Sequence, residues 1–162
     1  MTVTESAESY FTGHLAGAEA AIKLVRRMAA SDQGTALGGF ASSLARDIEE
    51  DKSLLEEIMA QLDISPSGIQ EALTRVAEQA GHMLLERQAG DDEAMVKLIR
   101  LETLSLGIEG KRCLWKALKE GAALDPRLAK TDFDDLIRRA ESQRDAVEQH
   151  RLTAARAMFA TS

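Results

Sequence analysis

Gly107-Ile108-Glu109-Gly110-Lys111-Arg112-Cys113-Leu114-Trp115-Lys116 is the stretch on which the reading of the fold turns. It has a weaker counterpart near the start of the chain, Gly17-Ala18-Glu19-Ala20-Ala21-Ile22-Lys23-Leu24-Val25-Arg26. Each is followed by a second echo: Leu44, Arg46, Glu49, Lys52, Leu55 and Glu56 recur at the same spacing as Leu136, Arg138, Glu141, Arg144, Val147 and Glu148. Glu19 and Glu49 lie 30 residues apart (49 − 19), and Glu109 and Glu141 lie 32 apart (141 − 109). The chain therefore reads as two related helix pairs. Each carries a carboxylate on its first helix and Glu-x-x-(Lys/Arg) on its second.

Composition sets the frame for that reading. The 162 residues are enough for one domain with a proper core, and the sequence is read as a single domain over 1–162. Hydrophobic residues make up 44% and charged residues 29%, with only two prolines, which is helix-forming chemistry. A formal charge of −7 argues against a nucleic-acid surface, which rests on clustered Lys and Arg. No apolar run approaches the ~20 residues that cross a bilayer, and the N-terminus has no signal-peptide pattern. The single cysteine, Cys113, cannot form an internal disulfide, so a reducing cytoplasm is the expected location.

Apolar periodicity predicts four long helices, over about 8–30, 36–62, 92–120 and 131–160. At 1.5 Å per residue each spans roughly 35 to 45 Å. The first carries Phe11, Leu15, Ala18, Ile22, Val25 and Ala29 on one face; glycines 34, 38 and 39 then mark a turn. On the second helix Lys52 falls between Ile48 and Leu55 on the apolar stripe, and Arg144 interrupts the stripe of the last. The third offers two stripes, one through Met95, Ile99, Glu102, Leu106, Glu109 and Cys113, the next through Leu98, Leu101, Ile108 and Trp115. Gly121 marks its expected stop, and Thr131 or Asp132 the cap of the last helix. The crossover, 63–91, is expected to hold a helix near Ser67 to Ala80 capped at Ser65-Pro66. A break at Gly81-His82, a turn to Gln88 and a cap at Asp91 complete it. Short turns make each pair antiparallel, and one long crossover in a simple bundle is the ferritin-like connectivity.

Two helix pairs, each contributing a Glu and then Glu-x-x-His about thirty residues later, define the di-iron ferritin-like proteins. The sequence resembles that plan over most of its length, in connectivity and spacing. The resemblance implies an all-α, ferritin-like four-helix bundle with Glu19, Glu49, Glu109 and Glu141 as its four carboxylates. The two histidine positions are Lys52 and Arg144, which cannot ligate a metal while protonated. They can, however, place positive charge and N–H donors where the ions would sit. The sharp expectation is a metal-free centre in which Lys52 and Arg144 pair with Glu19, Glu49, Glu109 and Glu141. The plainer one is solvated helix-face pairs worth ~0.2–0.5 kcal/mol each.

The remaining candidates are weaker. Gly17, Gly107 and Gly110 leave either a close helix approach, the favoured reading, or room for a ligand. His14, His82 and His150 do not follow a Glu by three residues. Glu148 and His150, two apart, do not share a helix face with which to chelate one ion. Cys113 is expected in the core, as are Trp115 and the methionines. No enzyme constellation stands out.

Three functions follow. The first is a bundle that has lost its di-iron centre and serves as a structural or protein-interaction module, as a homodimer, with no cofactor, nucleic acid or membrane. The second keeps iron or manganese on Glu19, Glu49, Glu109 and Glu141 for redox or storage chemistry. The third is a small-ligand carrier whose pocket opens between crossover and bundle.

Overall fold

The computed structural model describes residues 3–79 and 88–160, and the regular structure among them is all helix. Five helices account for it: α1 (Val3–Ser31), α2 (Ala36–Gln61), α3 (Ile69–Gln79), α4 (Glu93–Ala122) and α5 (Phe133–Ala160), with a 3₁₀ turn at Pro126–Leu128. None is long and apolar enough to cross a membrane among the described residues.

The turn between α1 and α2 shows how the sequence makes the first pair. Thr35 caps α2, its hydroxyl accepting from the Gly38 amide at 3.1 Å while donating to the Asp32 carbonyl at 2.7 Å. Gly38 is required there, since a Cβ would lie 2.1 Å from the Asp32 carbonyl oxygen. With the chain reversed so sharply, α1 and α2 lie antiparallel. The ion pairs between them run in opposite senses along the two helices, Arg26 to Glu49 and Lys52 to Glu19.

α4 and α5 pair in the same way, through Lys119–Asp134, Arg112–Glu141, Arg144–Glu109 and Arg151–Glu102. Between the pairs, α5 crosses α2 through Arg139 to Glu50 and Gln143 to Asp47, again in opposite senses. Lys97 near the start of α4 reaches Asp32 just past the end of α1. Thus α1 is antiparallel to both α2 and α4, and α2 to α5. The core is one cluster in which Leu15, Val25, Leu44, Ile58, Leu101, Leu104, Trp115, Ala140 and Val147 are almost completely buried.

Several local expectations shift. α1 starts at Val3 rather than near residue 8, and α4 runs past Gly121 to a C-cap at Ala123. Asp92 rather than Asp91 caps α4, accepting from Met95, while of the two caps expected for α5 it is Asp132 that accepts from Asp135. Ser65-Pro66 does not cap α3: residues 64–68 are irregular, and the helix is entered through Gly68 at φ +67°. The expected break at Gly81-His82 lies outside the described residues, as does most of the turn to Gln88.

On α4 the stripe facing the core is Leu101, Leu104, Ile108, Trp115 and Leu118. The stripe through Leu106 and Cys113 is buried only at Ile99, 3% exposed: Leu106 is 66% exposed, and Cys113 is exposed rather than a core residue. The reason is visible in the ion pairs. Glu102 and Glu109 on that stripe are turned toward the arginines of α5, carrying their neighbours out of the core.

Candidate functional site

The sequence-predicted charges are built up by helix register. Lys52 of α2 reaches across to α1, with its ammonium 2.6 Å from Glu19 and 3.3 Å from Glu56 one turn further along α2. The Glu19 hydrogen bond raises the Lys52 pKa and lowers that of Glu19. On the other pair, Arg112 lies 2.8 Å from Glu109 and 3.2 Å from Glu141, and Arg144 also pairs with Glu109. Held by Arg112 first and Arg144 second, Glu109 has its pKa lowered to about 2.

Both cations therefore meet carboxylates, but the four carboxylates do not form one centre. Glu19 belongs to the Lys52 group, Glu109 and Glu141 to the Arg112–Arg144 group, and Glu49 is taken by Arg26 at the surface. Among the described residues no three His, Cys, Asp or Glu side chains gather in a way that could hold a metal ion. For the reading in which Glu19, Glu49, Glu109 and Glu141 jointly bind iron or manganese, the described side chains offer no shared centre. These groups are also wet: Lys52 is 23% exposed and Arg144 39%.

The dry polar centre is one residue away on each helix. Asp51 precedes Lys52 and Gln143 precedes Arg144, and both point inward, 4% and 8% exposed. Between them lies Lys111 of α4, 14% exposed, donating to Asp51 Oδ2 at 2.6 Å and Gln143 Oε1 at 2.5 Å. Gln143 in turn donates to Asp47 at 3.3 Å, and Arg139 stands 3.5 Å from Asp51 Oδ1. Burial pushes the Lys111 pKa down, with the Asp51 carboxylate opposing.

Sequence reasoning missed this trio, although a signal was present. Lys111 interrupts the run Leu104, Ile108, Trp115 and Leu118 at helical spacing, as Asp51 interrupts Ile48 and Leu55. Gln143 does the same between Ala140 and Val147. Asp51 and Gln143 are also equivalent positions in the two echoes. The repeat pattern found the right turn of each helix but chose the side chain about 100° away around it.

Lys52 and Lys111 share a cleft of about 470 Å³ between α1, α2 and α4. Its apolar wall includes Ile48, Leu55, Leu104, Ile108, Leu114 and Trp115. Gly13 and Gly17 of α1 and Gly107 and Gly110 of α4 line it as well. A Cβ built at any of these four glycines would meet no described atom within 4 Å. Close helix packing, the favoured reading of Gly17, Gly107 and Gly110, finds no partner for them among the described residues. His14 also lines the cleft, against the Tyr10 ring at 4.7 Å, and burial lowers its pKa. His150 lies elsewhere, stacked on Phe40 at 4.6 Å.

Compared with family models, curated proteins and solved structures, the chain matches none.

Proposed function

We propose that the chain is a ferritin-like bundle that binds a small, largely apolar molecule in the cleft between α1 and α4. The ferritin-like reading is supported by helix direction: α2 antiparallel to α5, and α1 to α4, is what a single long crossover between two antiparallel pairs produces. The ligand reading is carried by one observation, the four glycines facing open space on the two helices that flank the cleft.

A glycine inside a helix costs up to ~1 kcal/mol relative to alanine. Where helices touch, that cost is offset by the closer approach; here nothing described fills the gap. The cleft also falls within the ~300–1,000 Å³ of small-molecule sites, and its wall is chiefly hydrocarbon, with a few polar groups converging on it. Leu106 lines the same cleft while standing well out in solvent, apolar surface that a ligand would cover. This favours the carrier reading over a purely structural module, which gives no reason to keep the space.

Trp115, the single tryptophan, lines the cleft and is itself buried. Titration with an apolar probe should therefore shift its fluorescence saturably. Gly17→Leu and Gly107→Leu should abolish the shift while leaving the chain folded, because each fills space that is already open. Saturable binding that survives both substitutions would place the ligand elsewhere and end the proposal.

A further inference from the structure

Given that reading of the cleft, on which this step rests, we infer that its ligand carries an anionic oxygen head, a carboxylate on an apolar chain, held by Lys52 and Lys111. The argument is a count of donors and acceptors at the polar end.

Each ammonium has three N–H donors. Lys111 spends two on Asp51 and Gln143, and Lys52 spends two on Glu19 and Glu56. Among the described residues one donor on each remains for an acceptor in the cleft. Asp51, the carboxylate that lines the cleft, already has its charge shared between two cations, Lys111 at 2.6 Å from Oδ2 and Arg139 at 3.5 Å from Oδ1. Glu19 and Glu56, which neutralise Lys52, do not line the cleft. A guest therefore meets two ammonium groups, each with a donor to spare, against one carboxylate whose charge is already balanced by cations.

That asymmetry selects against an amine and in favour of an oxygen anion. A carboxylate would receive charge-assisted hydrogen bonds from both ammonium groups, Lys111 on the dry side of the cleft and Lys52 at its wet edge. The chain's formal charge of −7 opposes the approach of an anion only weakly, because exposed charges are screened beyond ~8 Å at physiological salt.

The experiment uses the full chain and three probes with one hydrocarbon body: dodecanoate, methyl dodecanoate and dodecylamine. Binding is read by Trp115 fluorescence and checked by calorimetry. Dodecanoate should bind about tenfold more tightly than the ester, the worth of one charge-assisted hydrogen bond, and the amine most weakly. Lys52→Met should remove most of that preference while retaining ester binding. It is the informative variant because Lys111→Met risks the fold. Equal binding of acid and ester, or a preference for the amine, would overturn the anionic head and leave the apolar cleft standing. Failure of all three probes to bind would remove the cleft reading itself, and this inference with it.

Discussion

Asp51 and Lys52 are adjacent on α2, and Gln143 and Arg144 are adjacent on α5, yet the two members of each couple live in different solvents. Asp51 and Gln143 close around Lys111 in the interior, whereas Lys52 and Arg144 make their pairs at the water-bathed edge. Each setting pairs a lysine with a carboxylate; what differs is the cost of leaving a charge alone. In the interior an unpaired ion is penalised by several kcal/mol, whereas at the edge water takes over when a partner is lost. One residue of helix register separates the two regimes, so the energetics of this bundle should follow exposure rather than the number of bonds each cation makes.

The largest effect should come from Lys111→Met. It strands Asp51 in the interior with only Arg139 at 3.5 Å to offset its charge, and should cost about 3 kcal/mol in denaturant unfolding. Adding Asp51→Asn should return part of that loss, because the stranded charge is gone; the two substitutions should be far from additive. A loss below ~1 kcal/mol would mean that the interior centre is not dry, and the contrast with the edge would collapse. Lys52→Met, by comparison, breaks contacts to Glu19 and Glu56 that are partly solvated already and should cost about 1 kcal/mol.

The same contrast explains what could be read from the sequence. Helix-forming composition and apolar periodicity were enough to predict an all-helical chain, and Gly34 was enough to place the first turn, although Gly38 and Gly39, expected in it, fall inside α2. The internal echo correctly drew attention to the turns of α2 and α5 that carry polar residues toward the other helices. It could not say which polar residue faces inward. Lys52 and Asp51 both sit beside apolar neighbours, and a pattern of 3.6 residues per turn leaves one position of ambiguity. A family template settled the ambiguity in favour of Lys52 and Arg144. Lys111 has no counterpart in that template, although it breaks an apolar run just as plainly. The cleft was illegible for a different reason: a glycine in a helix signals either contact or space, and only the positions of neighbouring helices decide between them.

Acid should sharpen the comparison from the edge. Glu109 has its pKa held at about 2 by Arg112 and Arg144, well below its ordinary 4.5. A carboxylate depressed in the folded state contributes stability that is fully present above its unfolded pKa. That contribution is lost as pH falls from there through the folded value. Glu109→Gln should therefore be less stable than the parent near neutral pH, with the gap closing between about 4.5 and about 2. Urea midpoints across that window test it, and a gap that stays constant would mean that Glu109 acts through packing rather than charge.

The smallest effect belongs to Arg26, whose side chain is 65% exposed and whose partner Glu49 is also open to water. An ion pair so placed gains little from Coulomb attraction in high dielectric, and ordering two long side chains offsets most of it. Arg26→Ala should change stability by less than about 0.5 kcal/mol, and salt should hardly alter the result. Glu49 was expected to be a member of the central cluster, so the substitution is also a direct test of its reassignment. If Arg26→Ala cost as much as Lys52→Met, exposure would not be ranking these ion pairs, and the register argument that sets Asp51 apart from Lys52 would lose its physical basis.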